Sequence, residues 1–361
     1  MIKKYFIIVF ILNLIISFKE LFAQDPHFSQ FNNNLIYVNP AFVGIYNGLN
    51  VNLAYRRQWP AVPGKFENYY FGMDKSLWIM QGFGGVGLNC MTDVEGEGML
   101  KTTTIALPFS SRIQVTERLI LQVGVMPSFL QVSVDWSKFI FSDQLNPYYG
   151  AIYATSFSFP GKDQISRFDI GVGGILKYET YPQRGTEKFN SICKIGFAVF
   201  HVNSPNISLT GLEAPLPKRY VFYLDYTYAL NQFYYRRDIV KIHPAFLYEY
   251  QNPMSTYTIG LDLCKSGYNI GIWFRNKDFK ITNIDALIFS LGYSMYLNQI
   301  KSTILQISYS YDLTLSKLRD GASGCHELML IFKCEDFKIF SKETCEDDPG
   351  NIRRLKRKIR K

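Results

Sequence analysis

Apolar and polar residues alternate along this chain with a period of two in about fourteen separate stretches, and almost none reads as an amphipathic helix. In Thr303–Leu313, Leu305, Ile307, Tyr309, Tyr311 and Leu313 share one parity, while Gln306, Ser308, Ser310 and Asp312 share the other. Successive strand side chains point to opposite faces, so such a strand has one apolar face and one polar face. Turn residues and alternation together predict strands at 49–58, 66–75, 81–92, 99–110, 118–134, 166–178, 190–203, 219–231, 240–251, 254–264, 267–276, 284–296, 302–314 and 325–334. That many two-faced strands behind an export signal predict an all-β fold. The expected architecture is a closed transmembrane antiparallel barrel, with its apolar face on lipid and its polar face on a lumen.

Several strands carry a clean lipid-facing set: Leu119, Leu121, Val123 and Val125; Phe168, Ile170, Val172 and Leu176; Tyr220, Phe222, Leu224, Tyr226 and Tyr228; Tyr268, Ile270, Ile272 and Phe274. Asp225 and Arg275 fall on the opposite parity, where a charge can face water. An even strand count puts both ends of the barrel on one side, the periplasmic side in bacterial outer membranes. The longest gaps, 135–165 and 204–218, then face outward, and the short turns 76–80, 111–117, 265–266 and 297–301 face the periplasm. Long loops outside and short turns inside is the pattern such barrels show.

The two ends differ from the barrel. Lys3 and Lys4, then the apolar run Tyr5–Phe18, then Leu21-Phe22-Ala23 read as a signal peptide over 1–23, cut before Gln24. The run is short of the roughly twenty residues a membrane helix needs. Residues 24–48 neither alternate nor carry much charge. They form a plug folded back into the lumen or a free periplasmic extension; Phe28, Phe31, Leu35, Ile36, Tyr37 and Phe42 would sit poorly in water, which favours the plug. The charged tail is 335–361, after a barrel domain at 49–334. Of the formal net charge of +9, Arg353, Arg354, Lys356, Arg357, Lys358, Arg360 and Lys361 supply most, just after an acidic stretch. Nucleic-acid binding, the usual reading of a basic end, needs a cytoplasmic protein, and the export signal argues against that. A flexible solvated end and a docking arm for a periplasmic partner are the remaining readings. The chain is also 16% aromatic, with 25 Tyr and 29 Phe, which suits girdles at two membrane interfaces.

Little in the sequence points to catalysis. Six cysteines and four histidines are scattered without a zinc-ligand spacing. Cys334 and Cys345 either close a small loop in an oxidising periplasm or stay free thiols. Gly82, Gly84 and Gly87 have the G-x-G-x-x-G spacing, but strand character continues where a dinucleotide site needs a helix to start. Tight strand curvature or close packing over a plug accounts for them better. His326 has Ser323 and Glu327 near it, yet adjacent strand residues face opposite ways, so a lipase-type triad is not expected. No enzyme activity, cofactor or metal is expected.

The chain resembles the PorP/SprF family of outer-membrane proteins of the type IX secretion system of the Bacteroidota. The matching residues are Asp25-Pro26-His27-Phe28-Ser29-Gln30, Asn39-Pro40-Ala41 with Gly44, Tyr55-Arg56-Arg57-Gln58-Trp59, Gly271–Arg275, Tyr309-Ser310-Tyr311-Asp312 and Gly324-Cys325-His326-Glu327. Family members usually have Ser where Cys325 stands, and many end near the last strand, unlike the tail 335–361. The resemblance implies a barrel like the fatty-acid-transporter type, with about fourteen strands and an N-terminal plug that includes Asp25, Pro26, Phe28, Asn39, Pro40, Ala41 and Gly44. It places Arg56, Arg57, Gln58, Trp59, Arg275, Asp312, His326 and Glu327 at the rim or in the lumen. It also implies work with the type IX translocon to export or hold at the surface a secreted protein with a C-terminal sorting domain, an adhesin of the gliding kind among the options. Some members contact a periplasmic peptidoglycan-binding lipoprotein.

The expected function is therefore non-enzymatic capture of a secreted protein in a lipid-embedded barrel. Trp136, Phe139, Phe141, Tyr148 and Tyr149 in the first long loop are candidate anchors for that partner; interfacial girdle or self-packing is the alternative. Arg353, Arg354, Lys356, Arg357 and Lys358 are candidates for periplasmic docking. The runner-up function is transport of hydrophobic small molecules, which needs an apolar path that the polar set Gln306, Ser308, Ser310 and Asp312 does not offer.

Overall fold

The structure is a computed structural model, and it describes residues 24–334 apart from 47, 80–81, 98, 159–161, 181–190, 230–239, 279–283, 299–302 and 317–318. The signal-peptide region 1–23, the tail 335–361 and with it Cys345 lie outside the described residues. Fourteen antiparallel strands run in chain order: Leu49–Gln58, Lys65–Ile79, Gly82–Gly96, Leu100–Gln114, Leu119–Ser133, Gln164–Glu179, Ile192–Phe200, Arg219–Ala229, Lys241–Gln251, Met254–Lys265, Tyr268–Lys277, Ile284–Asn298, Thr303–Thr314 and Cys325–Cys334. Each pairs with its chain neighbours, and the first pairs with the last, from Leu49 opposite Cys334 to Gln58 opposite Cys325. The sheet therefore has no free edge, which is what lets strands lie in hydrocarbon.

The fourth strand is broken into Leu100–Ala106 and Phe109–Gln114 at Leu107-Pro108. Proline cannot donate to the ladder. The neighbours bridge the gap, with Gly87 N–H on Pro108 O at 2.9 Å and Leu107 N–H on Pro127 O at 3.0 Å. The seventh strand stops at Phe200 rather than near 203, because His201 takes a positive φ of 56° and turns the chain into the loop.

The expected lipid-facing sets do point outward. Ile270, Ile272, Phe168 and Val123 are among the exposed apolar residues, as are Tyr220, Phe222, Leu224, Tyr226 and Tyr228. The inward face is not uniformly polar. Trp273, Tyr223, Leu247, Ala286 and Ile288 form an apolar wall, and Ser308, Ser310, Asp312, Asn50 and Asn52 form a polar one. Asp225 and Arg275 face inward as expected but are buried against protein, at 1% and 5% exposure. Loops 134–163 and 201–218 share one end of the barrel; Leu49 and Cys334 lie at the other. The second of these loops packs down, with Leu216 buried against Leu130, Val132 and Ile165.

A charge in the middle of the outer face is expected to cost about 2–4 kcal/mol by depth in the bilayer. Ile272→Arg should lower the stability of the lipid-reconstituted barrel by that amount in chemical unfolding followed by tryptophan fluorescence.

Candidate functional site

Residues 24–46 lie inside the barrel and run against the direction of the first strand. Asp25 sits at the long-loop end, its backbone N–H on Gln251 Oε1 at 2.9 Å, and Gly48 sits at the opposite end, its N–H on Ser76 Oγ at 3.0 Å. The two ends of the sheet thus share one side, while the chain just before the sheet begins on the other. The physical reason is that the segment exchanges water for the inner walls. Phe28, Phe31, Leu35, Ile36, Val38, Ala41, Phe42 and Val43 are all buried. Phe31 meets Trp273 edge-on at 5.1 Å and Phe42 meets Tyr223 at 5.2 Å, which is a favoured ring geometry.

Three grips hold this segment. The first is an ion cluster beside the seam between the first and last strands. Arg56 faces Asp312 at 3.4 Å and Glu327 at 3.7 Å, and Arg275 faces Asp312 at 2.9 Å and Asp285 at 2.8 Å. Glu327 accepts the backbone N–H groups of Ser29 at 2.7 Å and Gln30 at 3.0 Å, and Ser29 Oγ donates to Asp312 at 2.7 Å. Arg56 also donates to the His27 carbonyl and to Ser29 Oγ. The guanidinium and carboxylate charges offset one another, which is the condition for burying them.

The second grip is at the long-loop end. His201 bridges Asp25 at 2.8 Å and Asp169 at 2.9 Å, and Arg219 reaches Asp25 at 3.3 Å. Arg219 lies between the rings of Tyr37 at 4.5 Å and Phe200 at 4.3 Å and donates to the Tyr37 hydroxyl at 2.7 Å. Burial alone would pull the His201 pKa down, but Asp25 and Asp169 overcome it and raise the group from 6.5 to about 9. For Asp25 burial pushes up, and His201 and Arg219 prevail and hold its carboxyl well below the ordinary carboxylate range.

The third grip is made of side chains bonded to backbone groups. Asn39 donates to Gly174 O and Phe197 O, both at 3.1 Å, and its Oδ1 accepts from Ala41 N–H, with Pro40 opening a short 3-10 turn. Ser110 and Gln122 both donate to Val43 O at 2.6 Å, and Asp74 accepts the Gly44 N–H at 2.7 Å. Gly44 has a φ of +69°, and a Cβ there would come within 2.6 Å of Gly85 Cα. Gly85 belongs to the Gly-rich third strand and a Cβ there would meet Gly44 in turn, whereas one at Gly84 or Gly87 would meet a neighbouring strand, at Ser110 O and Met73 O.

The family-motif residues divide by parity. Arg56, Arg275, Asp312 and Glu327 converge in the first cluster. Arg57 is exposed on the outer face beside His326, which takes a 2.7 Å hydrogen bond between its Nδ1 and the Tyr309 hydroxyl. Gln58 ends the first strand, and Trp59 turns at the rim with its N–H on Gly324 O at 2.9 Å. His326 and Glu327 thus face opposite ways. Asp25, Pro26 and Phe28 lie at the long-loop half of the threaded segment, and Asn39, Pro40, Ala41 and Gly44 at the other half. His201, Arg219 and Asp169 were not singled out from the sequence, because nothing local marks them as partners of Asp25.

In the first long loop, Trp136, Phe139 and Phe141 pack with one another and with Phe157, which stacks on Phe141 at 4.6 Å. Tyr148 and Tyr149 instead stand at the tip of a small hairpin, 90% and 77% exposed. Among the described residues Cys334 has no disulfide partner; its candidate partner Cys345 lies outside them. Among the described residues no group of His, Cys, Asp or Glu is arranged to hold a metal ion.

Two tests follow from the grips. Glu327→Ala leaves Arg56 buried without its full counter-charge and should cost roughly 3–5 kcal/mol; Glu327→Gln, which still accepts an N–H, should cost less in the same unfolding assay. For the second grip, a raised histidine pKa contributes stability that is complete below 6.5 and lost as pH rises through about 9, and a depressed aspartate contributes above 3.8 and is lost as pH falls. The melting temperature should therefore drop between about pH 6 and about pH 9.5, and His201→Gln should flatten that drop.

Residues 20–332 match the family described as type IX secretion system membrane protein PorP/SprF. No curated protein matches the chain. Among solved structures, the chain is similar to the CymD monoaromatic hydrocarbon channel, at 10% identity and a TM-score of 0.41 over 82% of this chain and 90% of that one. It is also similar to the Pseudomonas putida toluene transporter TodX, at 10% identity and a TM-score of 0.39 over 86% and 94%. A Pseudomonas aeruginosa FadL homologue aligns at 12% identity and a TM-score of 0.35 over 79% and 88%.

Proposed function

Because the chain belongs to the PorP/SprF family of type IX secretion system membrane proteins, whose role is secretion-associated and non-enzymatic in the outer membrane, we propose that its long-loop face binds a cognate secreted protein and helps export it or retain it at the cell surface. In this reading the long loops are extracellular and both ends of the sheet are periplasmic. The threaded segment, with Asp25, Pro26, Phe28, Asn39, Pro40, Ala41 and Gly44, acts as a plug that keeps the lumen shut to small solutes. The partner carries a C-terminal sorting domain and arrives from the translocon.

One observation carries the binding role. Tyr148 and Tyr149 project from the longest loop almost free of contact, while the neighbouring Trp136, Phe139 and Phe141 spend their rings on one another. Self-packed rings stiffen the loop and exposed tyrosines at its tip offer large, amphipathic contact area, which is how aromatic anchors operate at interfaces. The basic residues Arg353, Arg354, Lys356, Arg357 and Lys358 are assigned to docking on the periplasmic side, where an acidic translocon subunit or a peptidoglycan-binding lipoprotein is the expected partner.

Affinity capture of the tagged barrel from detergent-solubilised outer membrane should recover a large secreted protein with a sorting domain. Tyr148→Ala with Tyr149→Ala should reduce that recovery several-fold without changing barrel folding, since truncating a hot-spot aromatic costs about 2 kcal/mol or more. Equal recovery by the double variant removes these tyrosines from the interface. Deleting 335–361 should leave the barrel folded and reduce secretion; normal secretion after the deletion counts against the docking assignment.

A further inference from the structure

At the end of the barrel where Leu49 and Cys334 lie, the lumen keeps a cavity of about 420 Å³ between the threaded segment and the wall. That is within the size range of ligand sites. Lys177, Lys194, Lys241 and Lys333, each from a different strand, line it. Lys177 and Lys194 stand directly opposite each other on paired strands, an arrangement that like charges disfavour.

These charges are only partly matched. Lys177 pairs with Glu179 at 3.1 Å and Lys194 with Asp225 at 2.8 Å. Among the described residues no acid lies within ion-pair distance of Lys241 or Lys333. Lys333 rests over the Tyr46 ring at 4.5 Å. Asp262 on the same wall already accepts from the Asn32 amide and the Ser290 hydroxyl, and His243 is hydrogen-bonded to Thr227. Cations in a space walled by protein attract an anion more strongly than they would on an open surface.

The same chain supplies a complementary segment beside this space. The last strand ends at Cys334, next to the cavity-lining Lys333. Further on, Glu343, Glu346, Asp347 and Asp348 put four carboxylates into six residues, with no Lys or Arg among them. The stretch from Cys334 to Glu343 reaches up to about 30 Å when extended. Lys241 lies five strands from Lys333 around the wall, a path of about 24 Å at roughly 4.8 Å per strand, and less across the lumen. Both lysines are therefore within reach of these carboxylates.

We infer that the acidic stretch 343–348 folds back into this cavity and pairs its carboxylates with Lys241 and Lys333. The basic residues 353–361 are then left outside the barrel. This docking does not depend on the barrel receiving an exported protein.

The test is carbodiimide coupling of the full-length protein in non-ionic detergent, read by peptide mass spectrometry. The reagent joins a carboxylate to an amine only where the two already touch. Amides from Glu343, Glu346, Asp347 or Asp348 to Lys241 and Lys333 are expected. In an equal mixture of unlabelled and isotope-labelled protein, each such amide should join peptides of one label. A second measurement neutralises the segment with Glu343→Gln, Glu346→Gln, Asp347→Asn and Asp348→Asn, which leaves every barrel residue in place. Acylation of Lys241 by an amine-reactive ester should then run about fivefold or more faster, the protection expected of ion pairs acting together. Coupling of these carboxylates only to lysines of the tail itself, amides that join the two labels, or equal acylation of Lys241 in both chains overturns the inference.

Discussion

Closure of the first strand on the last is the constraint from which the rest of this molecule follows. Unpaired backbone groups in hydrocarbon cost several kcal/mol each, so an open sheet with these outward-facing residues has no stable place in a bilayer. Pairing Leu49–Gln58 with Cys325–Cys334 removes both edges at once and defines an inside. Arg56 from the first strand, Glu327 from the last and Asp312 from the one before it meet on the inner side of that seam. They hold Ser29 and Gln30 there, so the threaded segment and the closed wall stabilise one another.

The interior is solved as a protein core. Buried ion clusters hold the segment at the seam and at the long-loop end, and rings and aliphatic side chains from segment and wall pack between them. Apolar burial supplies the favourable free energy, while the ion clusters specify which residues of the segment lie against which strands. Buried ion pairs add little net stability against a hydrophobic replacement, but a one-residue slip of the segment would strand Glu327 and Asp312 without their Ser29 and Gln30 donors. Register is the property they protect.

At the long-loop end the same chain start contributes a different surface. Asp25 ties the segment to His201 and Arg219, and the loop 201–218 folds over the mouth through Leu216. The first long loop stiffens itself through Trp136, Phe139, Phe141 and Phe157 and leaves its two tyrosines outward. Towards the other end of the barrel the lumen keeps a cavity of about 420 Å³ between the threaded segment and the wall, reached by Asn32, Lys194, Asp262 and Ser308. Family membership makes the barrel a secretion-associated outer-membrane protein.

Strand positions, the outward set of each strand and the strand count follow from period-two alternation, because a strand facing lipid on one side has to declare its parity at nearly every residue. The first and last strands were legible to the residue. The end of the seventh was not, since the turn at His201 depends on a backbone conformation that alternation does not encode. Part of the candidate site was visible: Arg275 and Asp312 as polar residues on the inward parity, and Arg56 and Glu327 as residues of the family motif. What joined them was not visible, because ion pairs such as those of Arg56 with Asp312 and Glu327, at opposite ends of the chain, exist only once the cylinder has closed. The apolar wall of Trp273, Tyr223 and Ile288 also had no local mark, for an inward residue that meets another part of the chain reads like one that meets water until both are placed. The sequence by itself determined a two-faced sheet bound for a membrane. The tertiary structure decided what fills it, because that choice rests on contacts between the start of the chain and strands throughout its length.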